Sequence, residues 1–261
     1  MAVKVYEFDR AIVRSPGASV TKGLRATDRG DPSFPGVKRE HDAYVAALRE
    51  AGVQVEVLAP LEEYPDSIFV EDPALVFTAG AITLRPGVAS RAGEARFLSA
   101  VLARHFTKVL QLPRGFVDGG DVLRTPEKVM IGLSARTNLD GARALIECLP
   151  ELGLSGVIVK TPEDVLHFKS DSSLLDDVTV LTTRRLSASG VFSGFRELLV
   201  PPGEEAAANA LRVNDRVLVA ADFPATIALL SKAGFQVLPL RTAEIRRIDA
   251  GLSCMSLRWH R

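Results

Sequence analysis

The sequence predicts an α/β protein built as a ring of five strand–strand–helix–strand units, and three observations carry that expectation. One pattern of strand, turn, strand, helix and strand recurs along the chain. The two ends of the chain supply complementary parts of one such unit. The polar residues that fit no unit fall at the joins between units. Self-similarity at a period of roughly 20–50 residues marks a stacked or propeller-like array, and complementary ends favour closure over an open stack.

Taken in order, residues 4–13 read as a strand, 37–51 as a helix and 53–57 as a second strand. They lack a partner strand until residues 255–259 near the C-terminus. The next unit has strands at 74–78 and 81–84 joined by Ala79-Gly80. Its helix places Ala95, Leu98, Val101 and Leu102 at helical spacing after Ser90 as N-cap, and a strand follows at 107–110. Another unit has strands at 121–124 and 128–132 turning at Pro126-Glu127, a helix at 138–149 and a strand at 156–159. A shorter unit pairs 173–175 with 178–181 and ends at 198–200. The last is the clearest: 210–213 turns at Asn214-Asp215 into 216–219, then a helix at 224–233 and a strand at 235–238. Residues 1–261 are expected to form one domain.

With 261 residues and 47% hydrophobic content the chain can bury a full core. Acidic and basic residues balance at 32 each and are scattered, so no field or tail draws nucleic acid. The two cysteines, Cys148 and Cys254, do not suggest a disulfide, because Cys148 lies in a helical stretch; a reducing compartment follows. The first ten residues carry charges where a signal peptide needs an apolar run. No stretch approaches the roughly 20 apolar residues of a membrane span. A cytoplasmic protein is expected, with no membrane or nucleic-acid partner and a homodimer as the default assembly.

The joins hold the chemistry. Cys254 follows a Gly251-Leu252-Ser253 turn before the last strand. A buried cysteine is most often a small hydrophobe, but this one aligns with the other polar joins and reads as a nucleophile. As a nucleophile it must become a thiolate, which a neighbouring cation, including a guanidinium substrate, promotes. His167, in Val165-Leu166-His167-Phe168-Lys169, is the one histidine at a join; His41 and His105 read as helix or surface residues and His260 as terminal. Lone histidines on apolar strands usually pack in cores, yet beside a cysteine His167 becomes a candidate general acid and base. Val117-Asp118-Gly119-Gly120-Asp121 reads as a tight turn, with Asp118 the better site candidate and Asp121 evenly balanced. In Pro65-Asp66-Ser67-Ile68-Phe69-Val70-Glu71-Asp72-Pro73, strand alternation would put Asp66, Ile68 and Val70 on one face and Phe69 and Glu71 on the other. Its carboxylates match the donor fork of a guanidinium. Arg85, Arg91 and Arg136 could hold a substrate carboxylate, although each alone reads as a surface arginine. No phosphate loop, paired-cysteine metal motif or dinucleotide fingerprint occurs, so neither cofactor nor metal is implied.

Six ordered segments carry a resemblance. They are 65–73, Arg85-Pro86-Gly87 with Ser90-Arg91, Asp118-Gly119-Gly120-Asp121, Ser134-Ala135-Arg136-Thr137-Asn138, Leu166-His167-Phe168-Lys169 and Ser253-Cys254-Met255-Ser256. In this order and over nearly the whole chain they resemble the dimethylarginine dimethylaminohydrolases. That family belongs to the guanidino-group-modifying enzymes with the five-bladed α/β-propeller, or pentein, fold of pseudo-five-fold symmetry. The resemblance implies hydrolysis of N-omega-methylated arginines to citrulline and an amine through a covalent thiouronium. It implies Cys254 as nucleophile, His167 as general acid and base and Asp118 as its acidic partner, an aspartate where some members carry glutamate. Asp66, Glu71 and Asp72 would hold the guanidinium, and Arg91 and Arg136 the α-carboxylate. Leu24, Ile248 and Ser253 complete the implied substrate contacts, with the loop 17–36 as a lid. Arginine deiminase and amidinotransferases share the fold, but both families generally run longer than this chain. Ribosome anti-association factors share the ring without the chemistry, and the combination of Cys254, His167 and carboxylates speaks against them.

Overall fold

The protein is described here as a computed structural model covering residues 3–261; Met1 and Ala2 of the expected single domain lie outside the described residues. The chain begins with strand β1 (Arg10–Arg14), helix α1 (Phe34–Glu50) and β2 (Gln54–Leu58), then β3 (Ala74–Phe77), β4 (Gly80–Thr83), α2 (Glu94–His105) and β5 (Val109–Gln111). Next come β6 (Val122–Arg124), β7 (Val129–Leu133), α3 (Leu139–Cys148) and β8 (Gly156–Lys160). The fourth group is β9 (Ser172–Leu174), β10 (Thr179–Thr182), the single-turn α4 (Arg184–Ser187) and β11 (Arg196–Leu199). The last is β12 (Leu211–Val213), β13 (Arg216–Ala220), α5 (Pro224–Lys232) and β14 (Gln236–Leu240), followed by β15 (Leu257–Trp259).

These strands form five three-stranded sheets of one design. In each, the middle strand pairs antiparallel with the strand before it and parallel with the strand that returns after the helix. A parallel return requires a crossover, which the helix provides. The sheet β15-β1-β2 joins both ends of the chain, with Ile12 opposite Leu257 and Ala11 opposite both Arg258 and Val55. The expected unit is thus the observed one.

Local chemistry explains most boundaries. Asn138 caps α3 by accepting the Gly141 N–H, and Ser33 caps α1 by accepting that of Gly36. Asn214 takes the left-handed conformation its hairpin needs (φ 55°), and its amide bonds the Phe8 backbone at both ends, tying the β12–β13 turn to the start of β1. Two expectations fail locally. Ser90 does not cap α2; it lies in the 3-10 turn Ala89–Arg91, and α2 starts three residues later because Arg91 is drawn inside. Residues 4–9 precede the strand rather than extend it, since β1 finds ladder partners only from Arg10.

His41 lies on a helix, as expected, and that helix turns it inward. It sits on the inner face of α1 beside Tyr44, Val45 and Leu48, 1% exposed, and neither ring nitrogen has a hydrogen-bond partner. Burial pushes its pKa down to about 4. The unfolded chain, with an ordinary histidine near 6.5, therefore binds more protons below that pH, and stability falls from pH 6.5 down to about 4. The shift corresponds to about 3 kcal/mol. His41→Leu should lose about that much less stability than the parent between pH 7 and 4 in urea melts. Parallel pH profiles for the two proteins would refute this reading.

Candidate active site

The acidic segment is not a strand. Residues 64–72 form consecutive turns, closed by Ser67 N–H to the Tyr64 carbonyl, Phe69 N–H to Asp66 and Asp72 N–H to Phe69. Turns of this kind repeat every three residues, so Asp66, Phe69 and Asp72 share a side, and all three line a small pocket of about 50 Å³. Strand alternation put Phe69 and Asp66 on opposite faces; the turn period overrides it.

Arg91 anchors these turns from within. It is 4% exposed, its Nη1 donates to Asp72, and its Nε and Nη2 grip both oxygens of Glu94 at 2.9 and 2.7 Å. Nη2 also reaches the carbonyls of Phe69 (3.0 Å) and Asp66 (3.2 Å). Burial alone would disfavour its charge, but Asp72 and Glu94 hold it more firmly protonated than an ordinary arginine. Burial works against the Asp72 carboxylate too, yet Arg91 and His167 keep its pKa below the usual value. Asp66, buried and farther from a full partner, is pushed up by desolvation, although Arg91 and the Leu24 N–H (2.9 Å) oppose the shift.

The histidine is fixed by the diglycine turn. Asp118 is fully buried; one oxygen accepts the Gly87 N–H at 2.9 Å and the other lies 3.1 Å from His167 Nε2. Arg136 Nη1 stands 3.9 Å from that second oxygen. Asp121 accepts from the Ser134 and Thr137 hydroxyls (2.6 and 2.7 Å) and from the Phe168 N–H (2.9 Å), which pins the backbone beside His167. The diglycine is required by close approach: a Cβ on Gly120 would lie 2.9 Å from His167 Cγ, and one on Gly119 2.0 Å from the Glu71 carbonyl oxygen. Desolvation would lower the His167 pKa, but Asp121, Asp118 and Asp72 raise it to about 9. The resting side chain is an imidazolium at neutral pH.

Cys254, in the 3-10 turn Ser253–Met255, faces the same pocket. Burial first, then Glu71 and Asp72, push its thiol up to about 11, so it rests protonated. Leu24, Arg91, Arg136, Leu166, Ile248 and Asp249 complete much of the wall. Leu24 and Ile248 are brought together because Gly23 passes both Asp66 and Ile248 closely. The loop ahead of α1 lies against the 244–249 segment through Arg29 to Asp249 (2.9 Å), Ser33 N–H to Glu244 (2.7 Å) and Arg247 to the Asp31 carbonyl (2.9 Å).

Of the residues expected at the site, Leu24, Asp66, Asp72, Arg91, Arg136, His167, Ile248 and Cys254 line one pocket, with Asp118 behind His167. Glu71 and Ser253 do not line it. Glu71 turns to the far side of Cys254, where it meets Lys169 Nζ at 2.6 Å, the Ser253 hydroxyl at 3.0 Å and Arg258 at 3.3 Å. Both border a second, larger cavity of about 190 Å³. Arg85 also stays outside, over the ring of Phe116. Sequence reading missed Glu94, whose only signal is its place three residues after Arg91, and Asp249, a left-handed residue (φ 53°) on the pocket wall.

Comparison with known proteins agrees with this geometry. A model of the family described as N,N dimethylarginine dimethylhydrolase, eukaryotic, matches residues 36–164. The N(G),N(G)-dimethylarginine dimethylaminohydrolase of Pseudomonas aeruginosa is 37% identical over 97% of this chain and 100% of its own. The Streptomyces coelicolor protein of the same name is 33% identical over 95% and 96%. A solved structure of a cysteine-to-serine variant of the Pseudomonas protein, complexed with citrulline, superimposes with a TM-score of 0.94 over 97% of this chain and 100% of that one. The N-terminal domain of the cyanobacterial arginine dihydrolase ArgZ, 19% identical over 95% and 96%, shares the fold with a TM-score of 0.85. Identity at this level across both full lengths assigns the family: the chain belongs to the dimethylarginine dimethylaminohydrolases, hydrolases that act on C–N bonds.

Proposed function

We propose that residues 1–261 act as one catalytic unit that hydrolyses N-omega-methylated arginines to citrulline and methylamine or dimethylamine through a covalent intermediate on Cys254. The observation that carries this reading is one pocket bearing Cys254, His167 and two carboxylates, Asp66 and Asp72, beside two arginines. The carboxylates suit a planar cation, and the Arg136 guanidinium, which among the described residues has no ion-pair partner but Asp118 at 3.9 Å, suits the α-carboxylate. Arg91 has most of its donors committed, so it offers the carboxylate charge more than free N–H groups. Backbone groups of Leu24 and Ile248 receive the α-amino end. Glu71 and Ser253 act from behind the cysteine rather than on the substrate.

The protonation states set the order of events. At rest the thiol is neutral and the imidazole charged. A guanidinium seated between Asp66 and Asp72 places a positive charge beside Sγ and lowers the thiol pKa, and the thiol loses its proton to solvent, where the amine product later takes one up. The thiolate adds to the guanidinium carbon. The C–N bond to the methylated nitrogen then breaks as His167 donates its proton to the departing amine, leaving a thiouronium. Neutral His167 takes a proton from water, the hydroxide adds to the same carbon, and the C–S bond breaks to release the thiolate, which takes the adduct's hydroxyl proton as citrulline forms and so returns to the neutral thiol. Asp118 stabilises the charged imidazole throughout.

Two outcomes are expected. Citrulline should appear from asymmetric dimethylarginine and monomethylarginine, and Cys254→Ser should abolish it. Turnover of arginine alone would replace this reading with a deiminase, and no turnover of any of the three would reject it. Asp118→Asn should bring the His167 titration, followed by NMR of its ring protons, well below 9, and should cut kcat roughly 100-fold with KM nearly unchanged. An unshifted titration would remove Asp118 from the mechanism.

A further inference from the structure

Four of the five sheets are preceded by a join that supplies an acid, base or nucleophile to the site. Asp72 precedes β3, Asp118 precedes β6, His167 precedes β9 and Cys254 precedes β15. The remaining join, before β12, holds the 3-10 turn Glu205–Ala208 and then Asn209, a residue the mechanism has not used. Its amide Nδ2 lies 3.8 Å from Cys254 Sγ, within reach of a hydrogen bond to sulfur, and its Oδ1 lies 3.0 Å from the Ser253 backbone nitrogen. The second contact settles which way the amide points. A backbone N–H can only donate, so the atom facing it is the oxygen, and the NH2 group faces the sulfur.

The amide is also held from behind. A Cβ on Gly251 would lie 2.3 Å from Asn209 Cγ, so only glycine lets the two segments meet. The sulfur therefore has the Asn209 amide as a neutral donor, while Glu71 and Asp72 disfavour its negative charge.

We infer that Asn209 is a catalytic residue that donates a hydrogen bond to Cys254 Sγ and stabilises the thiolate, both as it forms for attack and as it leaves the tetrahedral adduct. The proposal rests on Cys254 as nucleophile. A neutral donor suits this place better than a lysine. A fixed cation beside Sγ would repel the guanidinium that must approach the same atom, whereas an amide stabilises the thiolate without opposing the substrate. The donor also acts in both chemical steps, because the same thiolate is the attacking group in the first and the leaving group in the second.

The test uses alkylation of the thiol by iodoacetamide, which needs no turnover and so separates this inference from the substrate assignment. In a Cys148→Ser background, the alkylation rate of Cys254 between pH 7 and 9.5 tracks the thiolate fraction. Loss of one hydrogen bond should raise the thiol pKa by about one unit and lower that fraction about tenfold. The more basic thiolate is intrinsically more nucleophilic, so the net rate should fall about three- to tenfold at every pH in the range. Asn209→Ala should show this displacement, and on the methylarginine substrate kcat should fall at least tenfold with KM changed less than threefold. Should Asn209→Ala fail to fold, Asn209→Ser, which keeps a short acceptor near the Ser253 N–H but gives up the amide donor, should show the same loss. Alkylation rates equal to the parent's in a folded variant would overturn the inference. A fall in kcat with unchanged alkylation would overturn it too, by assigning Asn209 to the structure of the turn alone.

Discussion

The site depends on burying one guanidinium. Arg91 lies almost wholly inside, and a charge there is tolerated only when its donors are satisfied and its charge matched. Its partners are Asp72, Glu94 and the carbonyls of Asp66 and Phe69, so satisfying Arg91 also closes the turns between residues 66 and 72. Those turns put Asp66 and Asp72 on the pocket wall and send Glu71 behind the cysteine. The carboxylate Arg91 grips is thereby kept ionised although desolvated, which a cationic substrate requires. Breaking one partner would leave a charge unmatched in the interior, a cost of about 3–5 kcal/mol, larger than for most surface ion pairs.

Around that anchor the electrostatics divide into two halves. His167 is surrounded by Asp72, Asp118 and Asp121 and carries a proton at neutral pH; Cys254 is surrounded by Glu71 and Asp72 and keeps its own. An excess of carboxylates thus favours the proton on both groups, which on the proposed mechanism prepares the acid and restrains the nucleophile together. The restraint is lifted by a positively charged ligand, which makes the thiol most reactive when the right substrate is present. Lys169 and Arg258 moderate the restraint by pairing with Glu71.

Much of this was legible in the chain. The repeating unit could be read because strand and helix periods differ and each unit buries its own apolar face, as at Leu98, Val101 and Leu102 or Val217 and Leu230. The joins stood out because Asp118, His167 and Cys254 interrupt those faces with ionisable groups. What escaped was geometry set by irregular backbone. The 64–72 segment looks like a strand by alternation, and the carbonyl-to-Arg91 contacts that favour turns leave no mark on it, so alternation separates Phe69 from Asp66 although both line the pocket. His41 was legible as a helix residue, but nothing local shows that α1 turns that face inward. Ser90 was a reasonable cap by residue type, but the demand of Arg91 for buried partners moved the helix start.

The five-unit design also explains why so small a pocket can gather residues more than two hundred positions apart. Each unit begins with a short first strand paired antiparallel to its middle strand, and the residues just before that strand reach the site in at least four units. Asp72, Asp118, His167, Asn209 and Cys254 stand between two and five residues ahead of their strands, four of them in or beside a 3-10 turn. A 3-10 turn is tight and tolerates close packing of backbone. The glycines at 119, 120 and 251 let neighbouring joins approach until side chains of different units touch: Gly119 against Glu71, Gly120 against His167, Gly251 against Asn209. The ordinary secondary structure supplies the core, and the joins, freed from that duty, are where an α/β repeat can vary its chemistry without disturbing its sheets.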